Sequence, residues 1–412
     1  MLERMLTPFI KTGRLTIVRA NGRVVRAGEI SEGEPGPDVA LRLKSSLTEL
    51  KIALRPELCL GEAYVDGTLV IEEGTLWDLF DLYGRNLVHR GAWRRSRAAS
   101  LIQALARYFQ QHNSQRTARR NAAHHYDLAE ALFRAFLDED MQYSCAYFLD
   151  PNLSLEEAQA AKKRHIIAKL LLEPGQRVLD IGCGWGGLAI SIAQAESLQT
   201  TAITLSREQL VVAKRRAREA GVDYKIVFEL RDYREVEGRF ERIVSIGMFE
   251  HVGKPNYQAF FDKVATLLTD DGVALIHSIG RMDGPGLTHA WTRKYIFPGG
   301  YIPALSEVLP AVERAGLWVT DIEILRLHYA ETLRAWRERF LQNLTLIRRT
   351  YDERFCRMWE FYLAGSEMAF RYDGLMVFQL QLAKRVGTVP LTRNYMFEQK
   401  PAQEEALMRA HA

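Results

Sequence analysis

The chain has 412 residues, 47% apolar and 26% charged, with a formal net charge of +4, which allows two or three domains with buried cores and argues against global disorder. No uncharged apolar run reaches about 18 residues, so no spanning helix is expected. Cys59, Cys145, Cys183 and Cys356 lie far apart with no C-x-x-C pair, so neither a disulfide framework nor a metal site is expected. The N-terminus carries Glu3 early and does not read as a signal peptide, so the expectation is a reduced, cytoplasmic enzyme.

Residues 14–80 read as a small mixed domain. "RLTIVRANGRVVRAG" holds two β-rich runs around Asn21-Gly22, a hairpin signal. "SEGEPGPD" reads as a loop, "DVALRL" as a strand, and "GEAYVDGTLVIEEG" as further turn chemistry.

The net charge is unevenly spread. Between Leu82 and Tyr126 stand nine arginines and no acidic residue: Arg85, Arg90, Arg94, Arg95, Arg97, Arg107, Arg116, Arg119 and Arg120. The rest of the chain is therefore net negative. Leu101, Leu105, Tyr108 and Phe109 recur at helical spacing among the arginines, which describes a basic amphipathic helix. Two readings stand: docking on an anionic surface, membrane or nucleic acid, or a solvated linker helix packing its apolar stripe on the protein.

From about residue 116 strands and helices alternate. Ser154 and Glu157 form a capping box for a helix to about Leu172, stopped by Pro174-Gly175. Strands follow at "RVLDIG", "TTAITL", "YKIVFEL", "FERIVSIGMF" and "GVALIHSIG", with helices between them. This predicts a doubly wound α/β sheet.

Within "VLDIGCGWGGLAI", Gly182, Gly184 and Gly187 fit G-x-G-x-x-G after a strand and before a helix, a weak nucleotide signal alone. A dinucleotide site wants an acidic residue ending the second strand, whereas this strand ends on Thr204 and Leu205. Asp180 instead precedes the loop, the usual signature of S-adenosylmethionine-dependent methyltransferases. Trp185 and Tyr143 could face the cofactor's sulfonium. Ligands bind outside the carboxyl ends of strands in such sheets. Gly182 to Gly186, Thr204 to Gln209, Asp232 with Tyr233, Glu250, and His277 with Ile279 all fall at that edge.

The stretches "HHYDLAEALF", "MQYSCAYF", "LSLEEAQAAK", "VLDIGCGWGG", "ITLSREQ", "RIVSIGMFEHVG", "LIHSIG", "YIFPGGYIP" and "HYAETLRAWRERF" resemble, in order, those of cyclopropane fatty acid synthases and mycolic acid cyclopropane synthases over about residues 120–390. "LGEAYVDG" resembles the longer, phospholipid-acting branch. The resemblance implies a class I S-adenosylmethionine methyltransferase fold: Rossmann-like α/β, with a seven-stranded mostly parallel sheet and a smaller N-terminal α+β domain. The expected division is a lipid-associated domain at 1–82, a basic helical linker at 83–120, the catalytic domain at 121–395 and a tail at 396–412.

The reaction it implies is transfer of a methylene unit from S-adenosylmethionine to the cis double bond of an unsaturated phospholipid acyl chain. A carbocation deprotonated with bound bicarbonate would close the ring. Stopping at a methyl-branched or methylated unsaturated chain is the alternative outcome. Carried over by position, Cys145, Glu250, His277, Tyr329 and the Ile279 N–H would contact bicarbonate, with Glu250 as proton acceptor. The cofactor would be held by Tyr143, Ser144, Val178, Asp180, Gly182, Gly184, Trp185, Gly186, Thr204, Leu205, Ser206, Gln209, Asp232 and Tyr233. The implied partners are the membrane phospholipid, an anionic inner-leaflet surface met by the Arg-rich segment 85–120 rather than nucleic acid, and a second copy in a homodimer. His251 and Cys183 read as structural. The family's Gly-Asn after "YDx" is replaced by Ala129-Glu130, a departure expected to bear on substrate choice.

Overall fold

The computed structural model describes residues 9–30, 36–88, 130–195 and 198–397. The chain divides into two compact units. The first begins with a four-stranded sheet: β1 (Arg14–Val18), β2 (Val24–Ala27), β3 (Asp38–Leu43) and β4 (Leu69–Glu73), in the order β2-β1-β3-β4. β1 and β2 pair antiparallel around the expected Asn21-Gly22 turn, where Gly22 takes φ +80°. That angle suits glycine and strains other residues. Alternate residues Leu15, Ile17, Val39, Leu41 and Leu43 bury one face of this sheet under the helices Ser46–Leu54, Pro56–Val65 and Leu76–Val88.

The first unit also contains residues 287–298 and 329–375, which the sequence reading had assigned to the catalytic domain. Helix Glu353–Tyr372 packs on Leu76–Val88, where Phe80 and Phe361 meet edge-to-face at 5.0 Å. Trp291 packs on Phe361 at a tilt, 4.6 Å between ring centres, and lies so close to Gly61 that a Cβ there would come within 2.6 Å of the indole. Tyr64 donates to Glu360 and Tyr372 to Asp81. Contacts so distant in sequence leave no local periodicity, so these packings cannot be read from the chain's linear order.

The second unit carries the predicted sheet: β5 (Arg177–Ile181), β6 (Gln199–Thr204), β7 (Ile226–Leu230), β8 (Phe240–Ile246), β9 (Leu268–Arg281), β10 (Trp318–Leu325) and β11 (Leu375–Ala383), ordered β10-β11-β9-β8-β5-β6-β7. Pairs β5–β6, β6–β7, β5–β8 and β8–β9 are parallel and β10–β11 antiparallel. The order reverses at β5, which places the switch point, and hence a ligand crevice, at its carboxyl end. Helix Leu155–Leu170 starts on the expected capping box, with Ser154 and Glu157 exchanging hydrogen bonds, and ends before Pro174. Phe249, Phe260, Phe261, Ile276 and Leu380 are fully buried in the apolar cluster on one side of the sheet.

Among the described residues no helix is long and apolar enough to cross a membrane, and no group of His, Cys, Asp or Glu could hold a metal. Arg85 lies in helix Leu76–Val88. The rest of the Arg-rich segment, the loop residues 31–35, His124 to Ala129 and the tail from 398 lie outside the described residues.

Candidate active site

A cavity opens at the carboxyl ends of β5, β6 and β8. Its walls include Tyr143, Ser144, Asp180, Gly182, Gly184, Trp185, Thr204, Leu205, Ser206, Gln209, Asp232 and Tyr233. Of the sequence-predicted cofactor residues, only Val178 and Gly186 do not line it; Val178 is core within β5. Gly182, Gly184 and Gly186 take φ of +86°, +53° and +84°, and Gly182 and Cys183 donate their N–H groups to the Ile203 carbonyl. The loop therefore folds back over β6. A Cβ on Gly184 would meet nothing within 4 Å, so the backbone there borders open space.

Asp180 is buried with Oδ2 unpartnered, and burial raises its carboxyl to about 7. The Trp185 indole N–H is also buried without a partner. Buried polar atoms are almost always satisfied, so orphans on a cavity wall mark where a ligand would bind. Thr204 donates to Gln209 Oε1, and Ser206 caps helix Arg207–Glu219 by accepting from the Gln209 N–H. Asp232 is held by Arg234 in a two-pronged pair at 2.8 and 2.7 Å. Tyr233 packs edge-to-face on Phe260. These groups fit S-adenosylmethionine: a glycine loop without a close-packed Cβ at Gly184, a free carboxylate for an ammonium, and aromatics for a sulfonium.

The second predicted cluster does not line this cavity. Glu250 sits in a short 3₁₀ turn after β8, and its Oε1 accepts from the Ile279 N–H at 2.6 Å. Oε2 is buried without a partner, and burial raises the carboxyl to about 7. Ile279 thus uses its N–H on Glu250. His277, two residues earlier on β9, is buried and held neutral, pushed down to about 3 chiefly by burial. Cys145 is fully buried. Tyr329 belongs to the first unit, where its ring packs on Phe370 and Trp336.

Residues 113–380 match the family model "Mycolic acid cyclopropane synthetase". The chain is 37% identical over 372 residues to the cyclopropane-fatty-acyl-phospholipid synthase of Escherichia coli strain K12, covering 89% of this chain and 93% of that one. It is 42% identical over 286 residues to the tuberculostearic acid methyltransferase UfaA1 of Mycobacterium tuberculosis, 66% of each chain. The crystal structure of mycolic acid cyclopropane synthase CmaA1 complexed with SAH and CTAB matches with a TM-score of 0.61 and 32% identity over 64% of this chain and 97% of that chain. The chain belongs to the cyclopropane synthase family. It is an S-adenosylmethionine-dependent methyltransferase.

Sequence reading of this cyclopropane synthase relative missed several wall residues. Lys162 and Gln142 line the cavity, and so does His251, which had been read as structural; burial lowers His251 to about 4. Gln379 and Lys169, near His277, were missed as well. One signal could have found the lysines. Leu155, Gln159, Lys162, Ile166 and Lys169 fall on one helical stripe, and the structure buries all of them. A lysine on the stripe that a helix buries needs a partner, which marks it for a closer look.

Proposed function

We propose that the enzyme forms a cyclopropane ring on the cis double bond of an unsaturated acyl chain in a membrane phospholipid, with bicarbonate as an auxiliary base. The observation that carries this reading is a buried, half-satisfied Glu250 carboxyl bonded to the Ile279 N–H, two residues beyond a buried, neutral His277, in a chain so similar to a cyclopropane-fatty-acyl-phospholipid synthase. S-Adenosylmethionine, when bound, supplies an electrophilic methyl group. Tyr143, Ser144, Asp180 and the 182–186 loop bind and orient it.

Glu250, His277 and Cys145 would hold bicarbonate, which supplies a mild base. A carboxyl poised near 7 can exchange a proton with it at Oε2, while the Ile279 N–H fixes Oε1. Glu250 is buried and follows Phe249 of the apolar cluster, surroundings that would limit the water able to quench a carbocation.

The membrane reading has support in the first unit. Helix Ser46–Leu54 exposes Leu47, Leu50 and Leu54 at 59%, 53% and 67%, a single stripe beside exposed Lys44, Lys51 and Arg55. The one acid of that helix, Glu49, is buried against Arg19. An apolar stripe flanked by cations suits an anionic lipid surface, and the Arg-rich segment 85–120 would add to it.

The test is product analysis. The full chain is incubated with labelled S-adenosylmethionine, bicarbonate and vesicles of cis-monounsaturated phospholipid, and the acyl chains are read by proton NMR. Upfield ring signals replacing vinyl signals are the expected result. A methyl branch or surviving vinyl signals on labelled lipid would favour the branching alternative, which the likeness to UfaA1 keeps in play. No label in lipid would overturn the substrate assignment.

A further inference from the structure

Lys162 is 1% exposed, yet it lines the cofactor cavity. Its Nζ donates to Gln142 Oε1 at 2.6 Å and to Ser144 Oγ at 2.9 Å, both neutral groups. An ammonium has three N–H donors, so these bonds leave one over. Two carboxylates act on it through space, Asp138 and Asp140. Both are committed elsewhere. Asp140 binds Lys163 and Arg216, and Asp138 accepts from the backbone N–H groups of Asp140 and Gln142. The other cations on the wall are paired as well, Arg234 with Asp232 and Arg231 with Glu229. Lys162 is therefore a buried cation on the cavity wall without a carboxylate partner among the described residues. Such a charge is costly unless something that binds completes its pairing. Burial already lowers Lys162 to about 8.

We propose that Lys162 is the counter-ion of the α-carboxylate in the methionine moiety of the cofactor, with Ser144 and Gln142 aiming its ammonium. The proposal rests on the cofactor class and is independent of the lipid product. Asp180, with its unpartnered oxygen on the same wall, complements the α-ammonium of that zwitterion. Bicarbonate is the rival anion. The Lys162 charge also acts through space on His277 and Cys145, but the residue is on the wall of the cavity that holds Asp180 and the glycine loop, which favours the methionine carboxylate.

The test is a binding cycle on the full chain by titration calorimetry. S-Adenosylhomocysteine is compared with its decarboxylated analogue, S-adenosyl-3-thiopropylamine, on wild type and Lys162→Met. Wild type should prefer the carboxylated ligand by roughly tenfold to a hundredfold, the worth of a hydrogen bond to a charged group. In Lys162→Met that preference should collapse, with binding of the decarboxylated ligand retained, and Lys162→Arg should recover part of it. An undiminished preference in Lys162→Met would overturn the proposal while leaving the cofactor assignment intact. A wild type that binds both ligands equally would overturn it even if the variants do not fold. A wild type that binds neither would overturn the cofactor assignment as well.

Discussion

Nε2 of Gln379 lies 3.1 Å from Nδ1 of His277, and a third residue decides which of them donates. The Lys169 ammonium, fully buried, donates to Gln379 Oε1 at 2.8 Å. A lysine can only donate, so the amide oxygen must face it and the NH₂ must face the histidine. Nδ1 therefore accepts, and the ring proton of His277 sits on Nε2. Lys169 is itself anchored by Glu323, which also accepts from His165. Gln379→Leu should release this tautomer. The expected result is a kcat reduced about tenfold to a hundredfold with S-adenosylhomocysteine affinity unchanged. Equal kcat would show that the ring orientation does not matter.

Glu250→Gln should keep cofactor binding and lose roughly 10²- to 10⁴-fold in turnover, the usual share of a general base. In wild type, activity should rise as pH climbs through about 7, where Glu250 ionises. Single-turnover rates against pH check both, and a flat profile would remove Glu250 from the proton path.

Stability should respond to the same group with the opposite trend. The carboxyl of Glu250 is raised from 4.5 to about 7 by folding. Between those values the folded chain keeps a proton that the unfolded chain has lost. Stability from this group is thus full below about 4.5 and is lost as pH rises through 7. Asp180 acts in the same sense, raised from 3.8 to about 7. His277, lowered to about 3, works the other way and penalises folding as pH falls below 6.5. Melting curves of Glu250→Gln should therefore show a smaller loss of Tm between pH 5 and 8, on the order of a few degrees.

Two glycines of one loop should separate stability from binding. At Gly186, φ is +84° and a Cβ would lie 2.9 Å from Ala213 Cβ. Gly186→Ala should destabilise by about 2–4 kcal/mol, from left-handed strain plus overpacking. At Gly184 the space is open, so Gly184→Ala should cost only about 1 kcal/mol yet weaken cofactor binding by filling the cavity wall. Thermal melts beside calorimetry check the contrast.

The proposed membrane docking can be tested at two separate surfaces. Changing Arg94, Arg95 and Arg97 to Glu, or Leu47, Leu50 and Leu54 to Ser, should each reduce sedimentation with anionic vesicles. The arginine variant should weaken the salt dependence, with Lys44, Lys51 and Arg55 retaining part of it, and the leucine variant should keep it. Unchanged sedimentation in either variant removes that surface from the docking site.

Much of the catalytic fold was legible in the chain, because its signals are local. Strand runs such as "RVLDIG" and "GVALIHSIG" are bounded by turn residues, Ser154 and Glu157 announce a helix start, and the glycines of 182–187 must serve a turn. Asp180 stood out as the acid just before the glycine loop, and Glu250 because a carboxylate after an apolar strand is a poor core residue unless paired. Other features depend on residues that meet only after folding. Helix Glu353–Tyr372 joins the first unit through Phe361 with Phe80 and Tyr64 with Glu360, pairs nearly 300 residues apart. Gln379 looks ordinary until a histidine is placed beside it, and the stripe that carries Lys162 does not tell which cavity its ammonium faces. Sequence periodicity records which face of an element is buried. It does not record which distant element covers that face, or which buried charge is left without a partner; packing in three dimensions decides both.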